Sequence, residues 1–256
     1  MPTTTLKLGE IRYRVHGEPS DAPPLVLIHG AAGGQYVWLE QRRLACAQVL
    51  TLDLPGHGAS HSAATEVEIG RYAEVVAAFV SEVGYATFVP VGHSMGGAVA
   101  LTLALEHPAR IPALVLIATG ARLPVSDFVY AAIDAGFDQL GELLAQTAYA
   151  PQTERALVAR FVNGPLQVSR AQAKADFDAC ARFDVRKRLG DIRAPTLVLS
   201  GAQDQLVGAG RIAQLASGIA DCQVRTIQDA GHMVMQEQPA EVNEAIETFV
   251  DLTFSA

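Results

Sequence analysis

The sequence lacks the features that mark several other classes of protein. No apolar run reaches the roughly 18 residues of a membrane-spanning helix, and the opening MPTTTLKLGEIRYR has no apolar stretch behind a basic start, as a secretory signal would. Basic residues are in the minority, with 19 Lys and Arg against 27 Asp and Glu. A net charge of −8 argues against a nucleic-acid partner, which needs a basic face. We therefore expect a cytoplasmic protein with no stable membrane association.

Cysteine and histidine are too scattered to indicate a disulfide framework or a metal site. Cys46, Cys180 and Cys222 are far apart and show no CxxC spacing, so we expect free, mostly buried thiols in a reducing compartment. The seven histidines show no close pairing of the HExxH kind. No residue pattern indicates a bound metal or cofactor.

What the sequence does contain is an alternation of apolar strands and helices. Its 256 residues, 50% of them hydrophobic, suffice for one large α/β domain. A hairpin is predicted first, from 4–8 and 11–15 with its turn at Gly9-Glu10. Buried strands then follow at 24–30, 49–58, 87–94, 113–120, 195–204 and 223–232. Helices are predicted at 37–46, 66–84, 95–106, about 208–217 and 239–252.

The alternation is interrupted between residues 122 and 190, where the sequence has no convincing buried strand. One or two helices are predicted within 125–149, one near 152–162 and one near 168–182. Strands alternating with helices indicate a parallel sheet with right-handed crossovers. Ligands bind beyond the carboxyl ends of such strands, which is where an insertion between two strands must lie. We therefore predict a core of residues 1–120 and 191–256 with a helical lid at 121–190.

One segment, FVPVGHSMGGAV (88–99), predicts a nucleophile at the end of a strand. Its GHSMG matches the G-x-S-x-G elbow, with a strand before it and a helix after it. Ser94 would sit on a strained turn, between glycines that let strand and helix approach closely. The backbone N–H of Met95 would lie at the helix N-terminus, where unpaired donors face an incoming oxyanion.

A serine nucleophile needs a base, and the base needs an orienting acid. In this kind of fold the acid follows a later strand and the histidine follows the last strand. Asp204 closes PTLVLSGAQD, and His232 closes VRTIQDAGH. Residue type, chain order and position at strand ends therefore all agree with a Ser94-Asp204-His232 triad.

These landmarks together resemble the α/β-hydrolase fold family over essentially the whole chain. The matching segments are LIHGAAGG (27–34), LDLPGHGAS (52–60), VGHSMGGAVA (91–100), PTLVLSGAQD (195–204) and DAGHMVMQEQP (229–239). The resemblance implies an α/β fold with a mostly parallel eight-stranded sheet, flanked by helices and carrying a lid. It also implies Ser94 as nucleophile, His232 as general base and then acid, and Asp204 as orienting acid. The Gly-rich loop would supply a second oxyanion donor, the N–H of Ala31.

We expect substrate contacts from His29, from Phe128 and Phe137 of the lid, and from Met233. The lid aromatics as a group suggest an apolar pocket, with core packing as the alternative for each of them. They are Phe128, Tyr130, Phe137, Tyr149, Phe161 and Phe177.

Other polar residues near the strand ends are interpreted as structural. His93 is adjacent to Ser94, but its side chain should leave the turn on another side. His57 is expected to tie loop backbone together, and Asp53 to brace the LPGHG loop. Asp229 is expected in the loop that carries His232, and Asp184 at the last turn of the lid.

A serine at position 94 excludes the branches of this fold that attack with an aspartate. We predict a carboxylesterase acting on small to medium acyl esters through an acyl-enzyme. Carbon–carbon bond hydrolases have a similar Gly-rich loop, but they commonly carry Asn where this chain has His93, and Trp soon after the catalytic histidine. A perhydrolase and a non-enzymatic small-ligand receptor remain further alternatives.

Overall fold

The computed structural model describes residues 3–6, 9–62, 67–137, 140–162 and 168–254. Within them the strands are β1 (Thr3–Leu6), β2 (Gly9–His16), β3 (Leu25–Ile28), β4 (Val49–Leu52), β5 (His61–Ser62), β6 (Val89–His93), β7 (Leu114–Ile117), β8 (Thr196–Gly201) and β9 (Cys222–Ile227). Eight of them form one sheet in the order β1-β2-β4-β3-β6-β7-β8-β9, and the short β5 pairs with β2. Pairing is antiparallel around β2 and parallel from β4 to β9. The predicted mostly parallel eight-stranded sheet of an α/β fold is confirmed.

The central strands are buried on both faces, as their uninterrupted apolar runs predict. Every residue of β3, β4, β6, β7 and β8 is buried. The edge strand β9 is different, because four of its six residues are exposed. The sheet therefore separates two hydrophobic cores, one on each face.

Helices cover both faces of the sheet. In the described residues they are α1 (Ile69–Glu82), α2 (Met95–Glu106), α3 (Asp127–Gly136), α4 (Leu140–Ala148), α5 (Arg155–Val162), α6 (Arg170–Arg182), α7 (Gly208–Gly218), α8 (Val234–Glu237) and α9 (Pro239–Phe254). Helix α2 is buried along most of its length, which fits its small and apolar sequence. None of these described helices is long and apolar enough to cross a bilayer.

Helices α3 to α6 occupy the chain between β7 and β8, where the sequence predicts an insertion. Serine side chains begin two of these helices: Ser126 accepts a hydrogen bond from the N–H of Phe128, and Ser169 from that of Gln172. The two ends of the insertion meet where Val185 N–H donates to the carbonyl of Ala121, at 2.8 Å. The chain therefore leaves the core after β7 and returns to it before β8 at neighbouring positions.

Two local predictions are wrong. Residues 37–46 do not form an α-helix: one 3₁₀ turn, Gln35–Trp38, overlaps their start, and a second, Gln41–Arg43, lies within them. Tertiary contacts decide this conformation, because Trp38 is fully buried and Gln41 donates to the carbonyl of Met235 at 3.0 Å. The first hairpin exists, but Gly9-Glu10 is not its turn: Gly9 pairs with Leu6, so both residues belong to β2. The connection falls at residues 7–8, outside the described part of the chain.

Candidate active site

Ser94 occupies a strained backbone position between β6 and α2. Its φ of 53° and ψ of −115° lie in a region that residues with a side chain rarely adopt. The surrounding structure holds this conformation through both peptide groups of the residue. Ser94 N–H donates to the carbonyl of Ile117 at 3.0 Å, and the hydroxyl of Thr119 donates to the carbonyl of Ser94 at 2.8 Å. Ser94 is partly exposed, whereas the residues on either side of it are buried.

The two glycines of the elbow are required by close backbone contacts. A Cβ at Gly92 would collide with the carbonyl of Gly96, and a Cβ at Gly96 would collide with that of Ile28. The first contact lets the helix fold back onto its own strand, and the second packs the helix against β3. The spacing that marks the elbow in the sequence therefore reflects a steric need at both positions.

His232 and Asp204 meet beyond the carboxyl ends of β8 and β9. Nδ1 of His232 lies 3.0 Å from Oδ2 of Asp204, and both side chains are almost completely buried. A Cβ at Gly201 would collide with the backbone of the loop before His232, so this glycine lets the two loops approach. Because a carboxylate only accepts hydrogen bonds, Nδ1 carries the proton. In the neutral ring Nε2 is then left as the basic nitrogen.

The structure also keeps Asp204 ionised. Its second oxygen, Oδ1, accepts the backbone N–H groups of Leu206 at 2.8 Å and Val207 at 3.0 Å. Burial alone would raise the pKa of Asp204, but His232 and these two N–H groups hold that pKa below its usual value. Asp204 can therefore both orient the imidazole and stabilise a positive charge on it.

His93 positions the loop that carries His232. Its Nε2 lies 3.0 Å from the carbonyl oxygen of His232, which can only accept, so Nε2 is the donor. The centroids of the His93 and His232 imidazole rings lie 4.8 Å apart. Burial, together with nearby His232, lowers the pKa of His93 to about 3. His93 is therefore neutral, and its hydrogen bond to the carbonyl of His232 holds that part of the loop in place.

The insertion also holds the His232 loop. The backbone N–H of His232 donates to the carbonyl of Ala148, at the end of α4, at 2.7 Å. Glu237 accepts the N–H of Gly231 with one oxygen, at 2.9 Å, and the N–H of Ala150 with the other, at 2.8 Å. Sequence reasoning missed Glu237, although an acid two residues before the proline that starts α9 was visible in QEQP.

The Gly-rich loop after β3 packs directly against the elbow. A Cβ at Gly30 would lie 3.1 Å from Nδ1 of His93 and 3.2 Å from Cβ of Ser94. The next residue, Ala31, lines the cavities beside Ser94. Met95 is the first residue of α2, so its N–H has no partner within the helix. Ala31 and Met95, the two predicted oxyanion donors, thus flank Ser94 on separate elements.

Two adjoining cavities meet at Ser94 and His232. The larger has a volume of about 540 Å³ and lies between the core and the insertion. The smaller has a volume of about 100 Å³ and lies against the Gly-rich loop. Ala31, Ser94, Leu144, Phe177, Leu206 and His232 line both of them.

The predicted substrate contacts are distributed unevenly over these cavities. Phe128 lines the larger one and is 58% exposed, and Met233 lines the smaller one. Phe137 instead packs in a small apolar cluster around Ile133 and lines neither cavity, although Leu144 and Phe177 of the same cluster line both. Among the other lid aromatics, Phe161 and Phe177 line these cavities.

His29 does not line either cavity. It is fully buried, its Nδ1 donates to the carbonyl of Gly30 at 2.8 Å, and its Nε2 accepts the N–H of Leu54 at 3.0 Å. Burial, with nearby His57, lowers the pKa of His29 to about 4. These contacts join the two loops that follow β3 and β4, which is a loop-bracing position rather than a substrate contact.

The remaining polar residues of the strand ends are engaged within the fold. Asp53 accepts the N–H of Gln35 at 2.8 Å and its side-chain amide at 2.9 Å. Asp229 accepts from Gln152 at 3.1 Å and is exposed. Asp184 pairs with Arg186 at 2.6 Å, next to the base of the insertion. The described side chains form no cluster of three or more potential metal ligands.

Comparison with known proteins gives the same fold. A family model described as alpha/beta hydrolase fold matches residues 23–239. The chain is 34% identical over 240 residues to the dihydrolipoyllysine-residue acetyltransferase component of the acetoin cleaving system of Pseudomonas putida, with 89% of this chain and 63% of that protein covered. The chain thus spans less than two thirds of that relative. It is 31% identical over 247 residues to pimeloyl-[acyl-carrier protein] methyl ester esterase of Xanthomonas campestris pv. campestris (strain B100), with 89% of this chain and 95% of that protein covered.

Solved structures extend the comparison to the full architecture. The enol-lactonase from Burkholderia xenovorans LB400 aligns with a TM-score of 0.90 at 24% identity, and the alignment covers 97% of this chain and 99% of that one. This likeness shows the fold, and the family match covers the elbow, the Gly-rich loop and both later strand ends. Esterases are among the relatives of this chain. The chain belongs to the α/β-hydrolase fold family.

Proposed function

We propose that this protein is a serine hydrolase that cleaves carboxylic esters through an acyl-enzyme. The observation that carries the proposal is the hydrogen bond between Asp204 and His232 beside the cavity that Ser94 also lines. A buried carboxylate that fixes the imidazole with its other nitrogen free is the arrangement that activates a serine hydroxyl.

In the proposed reaction Ser94 Oγ attacks the ester carbonyl while Nε2 of His232 takes the hydroxyl proton. The negative charge that develops on the carbonyl oxygen is stabilised by the N–H groups of Ala31 and Met95. His232 then gives its proton to the leaving alcohol. A water molecule gives a proton to the same nitrogen and attacks the acyl-enzyme. When the second oxyanion collapses, His232 returns this proton to Ser94 Oγ, which releases the acid and restores the free enzyme.

The two cavities indicate what kind of ester fits. The smaller, of about 100 Å³, leaves one half of the ester much less room than the larger cavity leaves the other half. The larger, of about 540 Å³, is in the range of pockets that bind whole small ligands. We therefore expect esters with one short and one bulkier, mainly apolar part.

The test is a comparison of native protein with Ser94→Ala on p-nitrophenyl acetate, butyrate and octanoate. We expect native turnover and a loss of several orders of magnitude in the variant, as for other triad knockouts. Equal inactivity of both proteins would contradict ester hydrolysis. In that case, turnover of a vinylogous 1,5-diketone acid would indicate carbon–carbon bond cleavage. Tight binding of such an acid or of an ester without any turnover would instead indicate a receptor.

A further inference from the structure

A buried carboxylate of the insertion, Asp176 on α6, is not explained by the proposed chemistry. It is fully buried, and its two oxygens accept four hydrogen bonds. Oδ2 accepts the backbone N–H of Ala32 at 2.9 Å and lies 2.7 Å from Nε2 of His57. Oδ1 accepts from the hydroxyl of Tyr72 at 2.7 Å and the amide of Gln172 at 2.9 Å. The donors come from two loops of the core, from α1 and from α6 itself.

Asp176 and His57 form a buried ion pair. The second nitrogen of His57, Nδ1, lies 3.1 Å from the carbonyl oxygen of Pro55. A carbonyl oxygen and a carboxylate can only accept, so both nitrogens of His57 are donors and the ring is positively charged. Although burial opposes both charges, the pKa of His57 is raised by Asp176 and that of Asp176 is lowered by His57. An ion pair with every oxygen occupied is an arrangement that tolerates complete burial.

The residue that Asp176 holds is adjacent to a proposed oxyanion donor. Ala32 has a φ of 53°, in the left-handed region that residues other than glycine rarely adopt. Its side chain packs against Ile133, Leu140 and Ala173, all from the insertion. The peptide group whose N–H binds Asp176 also carries the carbonyl of Ala31. The preceding residue, Gly30, packs directly against the elbow. Holding the peptide groups on both sides of Ala31 restricts its ψ angle and with it the direction of the Ala31 N–H.

We propose that Asp176, charged by its pairing with His57, is a positioning residue that holds the oxyanion loop in its active conformation from the helical insertion. This inference rests on the proposed function, since it assigns a role within the same site. Its consequence is that the insertion contributes to transition-state stabilisation as well as to the walls of the cavity.

The test compares Asp176→Ala with Asp176→Asn, and with Asp178→Ala as a matched control on the same helix. Asp178 is partly exposed, pairs with Lys174 at 2.9 Å and hydrogen-bonds Tyr130 of the same insertion, but neither partner belongs to the Gly-rich loop. Removing one oxyanion donor costs about 10²–10³ in kcat, and we expect misdirection of the donor in Asp176→Ala to lower kcat about 10- to 100-fold with KM within about twofold. In Asp176→Asn the amide oxygen can still accept from Ala32 and His57, and the NH₂ can donate to Tyr72. The side chain of Gln172, which now donates to Oδ1, can turn its oxygen toward that NH₂, so we expect kcat within about fivefold of native.

Two further measurements separate positioning from a general loss of stability. An aryl trifluoromethyl ketone forms an oxyanion on Ser94, so its inhibition constant should rise by the same factor as kcat/KM falls. Amide hydrogen exchange of residues 29–34 should accelerate in Asp176→Ala and stay native in Asp178→Ala. If Asp176→Ala does not fold, the double variant His57→Gln/Asp176→Ala removes the unpaired cation, and the same losses are expected from it.

Folded variants with kcat within twofold of native and unchanged exchange at residues 29–34 would overturn the inference. An Asn variant as impaired as the Ala variant would overturn the role of the Ala32 hydrogen bond. Failure of the proposed function is recognised separately, by native protein that does not turn over any ester. In that event the exchange measurement alone still decides whether Asp176 holds the loop.

Discussion

Replacing Asp204 by asparagine should reverse the hydrogen-bonding pattern of His232. The carboxylate now uses Oδ1 for the N–H groups of Leu206 and Val207, and Oδ2 for His232. The single oxygen of an asparagine would stay with the two backbone donors, because turning the amide would set its NH₂ against them. The NH₂ group would then face Nδ1 of His232.

An NH₂ group is a donor, so Nδ1 would have to accept and the proton of the neutral ring would move to Nε2. A protonated Nε2 cannot take the proton of the Ser94 hydroxyl. In serine proteases the corresponding change lowers kcat by about 10⁴ with the geometry intact, and we expect a loss of about 10³–10⁴ here. The side chain of Asp204 is 3% exposed, so water cannot readily take over its role.

The assay is steady-state hydrolysis of p-nitrophenyl acetate by native protein, Asp204→Asn and Asp229→Asn. Asp229 is the matched control because it precedes His232 by only three residues, is exposed and binds Gln152. We expect Asp229→Asn to keep kcat within about twofold. A folded Asp204→Asn variant that retained more than a tenth of native kcat would refute the tautomer reasoning, and a large loss in Asp229→Asn would move the acidic role to that residue.

Two further predictions concern stability. The pKa values of His29 and His93 are lowered from 6.5 to about 4 and about 3, so at these two sites the unfolded chain binds more protons and stability is lost as pH falls below about 6.5. His57, whose pKa is raised, opposes this trend only above about pH 6.5. Below that pH each of the two groups lowers the free energy of unfolding by about 1.4 kcal/mol per pH unit, until the pH reaches its folded-state pKa. Urea unfolding at pH 7, 6 and 5 should show this decline, and a free energy that does not change with pH would contradict it. Gly96→Ala should lower the free energy of unfolding by about 3 kcal/mol, because the new Cβ would collide with the carbonyl of Ile28. Gly70→Ala should raise the free energy of unfolding by up to about 1 kcal/mol, because a Cβ there would have no neighbouring atom within 4 Å. Thermal melts of both glycine variants test this, and equal effects would disprove it.

The fold was largely predictable because its strands and helices carry strong local patterns. The apolar run of β7, for example, has every residue buried, and α1 covers most of the stretch from 66 to 84 that the sequence predicts as a helix. The segment 37–46 was not predictable in this way. Its polar residue Gln41 is fully buried and bonded to Asn243 at 3.0 Å, a contact about 200 positions distant in the sequence.

The candidate site likewise has residues whose placement could be predicted from the sequence and residues whose placement could not. Ser94, Asp204 and His232 each follow a strand, so strand order was enough to bring them to one edge of the sheet. Asp176 was missed, although its spacing of three residues from both Ala173 and Ala179 places an acid on the buried face of α6. That pattern marks a buried charge but does not identify its partners.

The sequence by itself determined the alternation of elements, the position of the elbow and the identity of the residues at the strand ends, because these depend on short-range periodicity and sterics. Only the tertiary structure decided that His29 braces two loops, that His93 supports the loop of His232, and that the insertion reaches Ala32 through Asp176. The physical reason is that a hydrogen bond between buried polar groups depends on where distant segments meet. Neither propensity nor spacing specifies that meeting until the core has packed.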